Sequence, residues 1–130
     1  MKKVLVIDDE VMLATSLCIF LHKKGYSAYS APDCATGLRL FETISPDIIL
    51  LDLLLPDGHG FDVLKVIKGI SPSCIVIIMS GTLTPGITKE ATSLGAQKCL
   101  WKPFSCLELE DTLKNCIPAL NEGKTPAEGT

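Results

Sequence analysis

Five short apolar runs alternate along the chain with longer segments of helical spacing, and this alternation limits the fold more than any other feature of the sequence. Continuous apolar runs of this length are typical of strands buried on both faces of a parallel sheet, with helices covering each face. The runs are residues 4–7, 26–30, 48–51, 75–79 and 97–101, of which the second and fifth are weaker.

The segments between the runs carry helix signals at their ends. Gly25 and Gly95 follow the first and fourth segments as expected stops. Ser105 and Glu108 form a capping box at the start of the fifth, and Pro118 is expected to end it. The predicted helices are residues 10–24, 33–44, 60–69, 84–94 and 105–117. The order predicts an α/β fold, a doubly wound five-stranded parallel sheet flanked by five helices. Residues 1–118 are the predicted domain, and residues 119–130 are interpreted as a polar tail or the start of an interdomain linker.

Composition argues against several classes of function. The formal net charge is -3 and no cluster of Lys and Arg occurs, which argues against direct nucleic-acid binding by this domain. No window approaches the ~20 apolar residues of a membrane span. The apolar run after Lys2 and Lys3 is too short for a signal peptide, so we expect a cytoplasmic location and no membrane contact. The six cysteines lack metal or redox spacing and are predicted to be reduced thiols.

Polar residues follow four of the five predicted strands, at points that a parallel sheet brings to one edge. They are, in chain order, Asp8, Asp9, Asp52, Ser80 and Lys102. Each alone is explained as a helix cap or a turn residue. Together they favour a site, because doubly wound sheets bind ligands at the carboxyl ends of their strands. Asp52 carries the strongest signal, since an ionised carboxylate at the end of an apolar run is costly without a partner.

The residue types at this edge point to phosphoryl chemistry. Three carboxylates in one small site repel one another, and a divalent cation relieves that repulsion. Hard oxygen ligands favour Mg²⁺, and Lys102 adds a second positive charge. Such a site suits an incoming phosphoryl group, whose oxygens are neutralised while a carboxylate attacks the phosphorus to give an aspartyl phosphate.

Four motifs, "VLVIDDE", "PDIILLDLLLPDGHGFDVL", "IVIIMSG" and "LWKPF", occur in the order found in response-regulator receiver domains of bacterial two-component signalling, which the chain resembles over about residues 2–118. The resemblance implies the strand order 2-1-3-4-5. It implies that Asp52 is the phosphoacceptor and that Asp9 is a direct Mg²⁺ ligand. Asp8 would position the metal and its water, and the backbone carbonyl of Leu54 would complete the protein ligands.

The resemblance also assigns the phosphoryl-binding residues and the partners. Ser80 would donate its hydroxyl to the phosphoryl group, Lys102 would pair with it, and Gly81 would leave room for the donor. The bond before Pro103 is expected to be cis. The implied donor is a histidine kinase or phosphotransfer protein, and the implied output is an unknown partner, an effector domain or a homodimer. Such a domain is not an enzyme in the usual sense, since it promotes only its own phosphorylation and dephosphorylation.

Two positions depart from the family pattern. Cys99 stands where Tyr or Phe is common, so the usual aromatic switch is absent. Trp101 lies on the same side of that strand, which predicts either an exposed anchor on the output surface or core packing against the fifth helix. Leu54 cannot orient an attacking water, which predicts slow loss of the phosphoryl group.

Other interpretations stay open at this point. A flavin- or nucleotide-binding protein of the same fold would carry a Gly-rich or Ser/Thr-rich phosphate loop after the first strand, where this chain has "DDE". A degenerate receiver would serve only as a docking module, and Cys99 keeps that alternative alive. Asp57 and Asp62 are interpreted as caps and solvated residues at the start of the third helix. The chain is either a stand-alone receiver or the N-terminal piece of a larger regulator.

Overall fold

A computed structural model of the chain describes the backbone of residues 2–120 and the side chains of residues 2–117. This part of the chain contains seven strands and five helices. The elements are β1 (Lys3–Ile7), α1 (Val11–Lys23), β2 (Ser27–Ala31), α2 (Cys34–Ile44), β3 (Ile48–Asp52), β4 (Leu54–Leu55), β5 (Gly58–His59), α3 (Gly60–Ile70), β6 (Ile75–Ser80), α4 (Pro85–Ser93), β7 (Lys98–Trp101) and α5 (Cys106–Leu120).

Five of the strands form one parallel sheet in the order β2-β1-β3-β6-β7. Counted without the two-residue strands β4 and β5, this is the expected order 2-1-3-4-5, and the predicted doubly wound fold is confirmed. The chain order reverses direction across the sheet at β1, because β2 lies on one side of it and β3 on the other. The carboxyl ends of β1 and β3 are therefore adjacent, at the place where such folds bind ligands.

The sheet separates two apolar layers. One layer contains buried side chains of α2, α3 and α4, and the other contains those of α1 and α5. All residues of β3 and β6 are buried, which explains why these two runs are continuously apolar until their final polar residues. Asp52 and Ser80 are those final residues, so the chain introduces polarity only where each strand reaches the edge.

Two features differ from the sequence prediction. Strands β4 and β5 form a two-residue antiparallel ladder between β3 and α3. Strands this short leave no apolar pattern in the sequence, so they were not predicted. Helix α5 continues through Pro118 to Leu120, whereas the proline was expected to stop it. Pro118 lies two residues before the end of α5, so it disturbs the helical hydrogen bonds only in the last turn, where few remain to be lost. The predicted tail or linker at residues 119–130 thus begins inside α5, and residues 121–130 lie outside the described part of the chain.

No helix within the described residues is both long enough and apolar enough to cross a membrane. The six cysteines all lie in this part of the chain, and none forms a disulfide.

Candidate functional site

Three carboxylates meet where β1 and β3 end. Asp8 and Asp9 follow β1, Asp52 ends β3, and one oxygen from each lies within 4.8 Å of the others. Asp8 is 1% exposed and Asp52 is 8% exposed, while Asp9 faces solvent. Parallel pairing of β1 with β3 brings together residues that are more than forty positions apart in the sequence. The predicted acidic cluster therefore exists as a geometric unit.

The Lys102 ammonium lies inside this cluster of acids. Its Nζ is 2.7 Å from Asp8 Oδ2, 2.7 Å from Glu10 Oε1 and 3.4 Å from Asp52 Oδ2. Burial lowers the pKa of Lys102, but its close contacts with the Asp8 and Glu10 carboxylates outweigh burial and raise the pKa above its usual value. The lysine is consequently a permanent cation at neutral pH. The peptide bond between Lys102 and Pro103 is cis.

The carboxyl group of Asp52 is less easily ionised than an ordinary aspartate. Burial raises its pKa most, and the negative charge of Asp8 raises it further. The charge of Lys102 and hydrogen bonds from Lys102 and the Leu54 backbone act in the opposite direction without cancelling the effect. Additional positive charge at the cluster would favour the ionised form, which is the form that can act as a nucleophile.

The donor set of the cluster fits a hard divalent cation. Asp8 Oδ2 is buried and receives no well-directed hydrogen bond, its close contact being the ion pair with Lys102. Asp9 and Asp52 add carboxylate oxygens within 4.8 Å, and exposure of Asp9 leaves one side open to water. Mg²⁺ prefers a few carboxylates and retains several waters, and this arrangement offers both.

Ser80 lies at the same edge, but its hydroxyl is engaged locally. Ser80 Oγ accepts a hydrogen bond from the Thr82 amide at 3.0 Å and donates one to the Thr82 carbonyl at 3.1 Å. The structure therefore does not join this hydroxyl to the acids. A Cβ built on Gly81 would meet no atom within 4 Å, so the space beside Ser80 is open.

The segment from β3 to α3 is held by several polar contacts. The Asp57 carboxylate accepts hydrogen bonds from the amides of Cys34 and Ala35 at 2.8 and 3.1 Å, so it caps α2. The prediction that Asp57 caps the third helix is wrong, because the ladder of β4 and β5 turns this side chain toward α2. His59 caps α3 instead, its Nδ1 accepting a hydrogen bond from the Phe61 amide at 3.0 Å.

Cys99, which departs from the family pattern, and Trp101 both lie on β7. Cys99 is half-buried and packs against the apolar layer of α2, α3 and α4. Trp101 is 60% exposed and borders an apolar groove together with Leu83, Pro85 and Thr88 at the start of α4. Its packing as a core residue against the fifth helix was therefore a wrong alternative. The side chain of Leu54 is 72% exposed next to the acids.

Three residues contribute to the site in ways that were not predicted from the sequence. Glu10 contacts Lys102, Thr82 holds the Ser80 hydroxyl, and Asp57 fixes the segment after β3. Glu10 is the third acid of the "DDE" motif, but the sequence does not show that its side chain points toward Lys102. Thr82 contacts Ser80 through its backbone amide and carbonyl, so the identity of its side chain gives no hint of these contacts.

Known sequences match most of the chain. Residues 4–114 match the family described as the response regulator receiver domain. The chain is 31% identical over 117 residues to sporulation initiation phosphotransferase F of Bacillus subtilis, covering 90% of this chain and 94% of that protein. It is 34% identical over 108 residues to the DNA-binding response regulator MtrA of Mycobacterium tuberculosis, covering 83% of this chain but 47% of that one.

Solved structures show the same fold. A response regulator receiver domain protein from Clostridium thermocellum has a TM-score of 0.85 at 31% identity, covering 93% of this chain and 98% of that one. A CheY-like receiver domain protein from Methanospirillum hungatei has a TM-score of 0.89 at 24% identity, covering 95% and 99%. With the matching family region spanning most of the chain, this protein belongs to the response regulator receiver domain family of two-component systems.

Proposed function

We propose that the chain is a phosphoacceptor, in which Asp52 receives a phosphoryl group from a histidine kinase or a phosphotransfer protein. The observation that supports this most is the meeting of three carboxylates with one partly buried ammonium at the edge of the sheet. A carboxylate nucleophile, a cation-binding set of oxygens and a fixed positive charge are the parts that phosphoryl transfer requires. All three parts lie together at the carboxyl ends of β1 and β3.

In the proposed step, a carboxylate oxygen of Asp52 attacks the phosphorus of the donor. A new P–O bond forms to Asp52 while the bond from phosphorus to the donor's leaving atom breaks, and the leaving group departs with that electron pair. Lys102 lies 3.4 Å from Asp52 and would neutralise charge on the phosphoryl oxygens. Release of Ser80 Oγ from its contacts with Thr82 would let that hydroxyl donate to the same oxygens.

Asp8, Asp9 and Asp52 would hold Mg²⁺, with the backbone carbonyl of Leu54 as a further ligand. When bound, the ion supplies a positive charge that draws the acids together and stabilises the charge that builds on the phosphoryl group. Asp8 Oδ2 is available for this exchange, because its present close contact is with the Lys102 side chain rather than with backbone donors.

The proposed output is a change at the surface formed by α4 and β7. Trp101 is the register partner of Ser80 across the two strands, so a moving hydroxyl would lie next to this exposed ring. Cys99 is too small to repeat an aromatic rotamer switch. A protein partner, an effector domain or a second copy would contact Trp101. We further propose that the chain catalyses no turnover on other molecules and acts in the cytoplasm, where its six free thiols stay reduced.

Phosphorylation by a small-molecule donor tests the proposal. Purified protein incubated with acetyl phosphate and Mg²⁺ should gain one phosphoryl group by intact mass, and the label should be lost with EDTA and in Asp52→Asn. Asp62→Asn is the matched control, since it removes an exposed carboxylate on α3 and should label normally. Absence of labelling in the wild type, with Mg²⁺ and fresh donor present, would favour the second candidate, a receiver that only docks.

Loss of partner binding or self-association in Trp101→Ala, with the fold and the labelling retained, would support the proposed output surface. Unchanged association in that variant would place the output elsewhere.

A further inference from the structure

Glu10 is an acid that neither the cation nor the phosphoryl chemistry requires, yet it contacts the residue that chemistry depends on. Its Oε1 lies 2.7 Å from Lys102 Nζ, which is closer than the 3.4 Å between that nitrogen and Asp52 Oδ2. The ammonium is thus drawn more closely to Glu10 and Asp8 than to the proposed phosphoacceptor.

The backbone places Glu10 for this contact. Its amide donates to Asp8 Oδ1 at 2.9 Å, so the residue is fixed beside the buried acid although its side chain is 62% exposed. A cavity of 330 Å³, lined by Leu13, Pro103 and Phe104 as well as by the pair, opens next to it. Glu10 therefore has room to swing away from Lys102 without any movement of the backbone.

We propose that Glu10 is a positioning residue that holds Lys102 in a resting ion pair, and that an incoming phosphoryl group must displace Glu10 to engage the lysine. This inference rests on the proposed function of Asp52. Both groups are anionic and approach the same ammonium, so they compete for it. A bound cation would withdraw Asp8 from Lys102, which leaves Glu10 as the remaining competitor at the moment of transfer.

Competition predicts that removal of Glu10 strengthens phosphoryl binding. Beryllofluoride, a tetrahedral phosphoryl mimic, is titrated calorimetrically into each protein at saturating Mg²⁺. Glu10→Gln should bind it about threefold more tightly than the wild type, in keeping with the modest strength of a partly exposed ion pair. Glu42→Gln makes the same charge change on the exposed surface of α2 and should leave the affinity unchanged.

A shorter acid at position 10 distinguishes direct contact with Lys102 from the effect of a negative charge at a distance. Glu10→Asp keeps the negative charge but withdraws it from Lys102, so competition predicts a gain similar to that of Glu10→Gln. A gain in Glu10→Gln with wild-type affinity in Glu10→Asp would reflect charge at a distance and would overturn the inference.

The Lys102 Nζ resonance of the unliganded protein gives a readout that is independent of phosphoryl binding. It should shift in Glu10→Gln and remain in place in Glu42→Gln. If the wild type binds beryllofluoride while Glu10→Gln neither tightens binding nor moves this resonance, the inference about Glu10 fails alone. If the wild type neither binds the mimic nor accepts a phosphoryl group, the proposed function fails, and with it the competition between Glu10 and a phosphoryl group.

Discussion

The two segments that flank the site differ in how firmly they are held. Between β3 and α3, Asp57 bonds two amides of α2, His59 caps α3, and the Gly60 amide donates to the Leu53 carbonyl at 2.7 Å. Between β6 and α4, the hydroxyl of Ser80 bonds to nearby Thr82, and the space beside Gly81 is open. The first segment is built for fixed geometry, and the second has freedom to rearrange.

The helices that follow these segments extend the difference. Helix α3 buries five of its residues, among them Phe61, Leu64 and Ile67, whereas α4 buries only Ala91. Because buried apolar contacts determine how readily an element opens or shifts, we expect α4 to shift more readily than α3. The proposed chemistry at Asp52 and the proposed movement near Trp101 thus lie on β3 and β7, the two strands that flank β6.

Two glycines provide the largest test of this difference. A Cβ on Gly60 would collide with the Asp52 carbonyl and with the Leu53 Cα, both of which are backbone atoms. Gly60→Ala should therefore lower the free energy of unfolding by about 3 kcal/mol, a cost typical of overpacking. Gly81→Ala, on the open side, should stay within about 0.5 kcal/mol of the wild type. Urea unfolding of both variants measures this, and equal costs would remove the distinction between the segments.

The exposed side chain of Leu54 gives the next largest effect. Its backbone belongs to the firmly held segment, but its side chain is 72% exposed and cannot orient a water. Leu54→Asn should release the phosphoryl group about tenfold faster, equivalent to about 1.4 kcal/mol in the barrier, with little change in stability. Decay of the labelled protein is followed by intact mass. Faster decay in the wild type would contradict this interpretation of Leu54.

Removal of the charge on Asp52 should stabilise the fold. Burial and the charge of Asp8 raise the pKa of Asp52, so its ionised form costs folding free energy at neutral pH. Asp52→Asn should raise the free energy of unfolding by about 1 kcal/mol at pH 7. The advantage should disappear below about pH 3.9, where the carboxyl group is protonated in both states. Urea unfolding at several pH values tests this, and a destabilised variant at pH 7 would contradict it.

The smallest expected effect concerns the connection to α2. Hydrogen bonds from the Cys34 and Ala35 amides lower the pKa of Asp57, so its ionised form stabilises the fold. Asp57→Ala should lower the urea midpoint at pH 7, and the difference from the wild type should shrink as the pH falls below about 3.9. Asp111→Ala, an exposed acid on α5, is the control and should show neither effect.

Much of the fold was predictable because its strands are buried on both faces. The runs at β3 and β6 are short, continuously apolar and rich in β-branched residues, which favours buried strands over helices. Convergence of Asp8, Asp52 and Lys102 followed from parallel order alone. Neighbouring strand ends share an edge whatever side chains surround them.

What the sequence left hidden depends on contacts between distant backbones. Asp57 was assigned to the helix that follows it, because local capping is the commonest role of such a residue. The short ladder of β4 and β5 redirects it to α2, and two-residue strands leave no periodic signal. Exposure of Trp101 decided between an anchor on the surface and a core residue packed against the fifth helix. Burial of a residue on an edge strand depends on how the neighbouring helix packs, which the sequence does not show.

Trp101 has a practical consequence for following this protein in solution. It is the one tryptophan of the chain, it is 60% exposed, and it pairs in register with Ser80. Its intrinsic fluorescence therefore comes from a single place beside the open segment. Changes in emission on adding a metal or a phosphoryl donor would report events at that place, without labels and without interference from another indole.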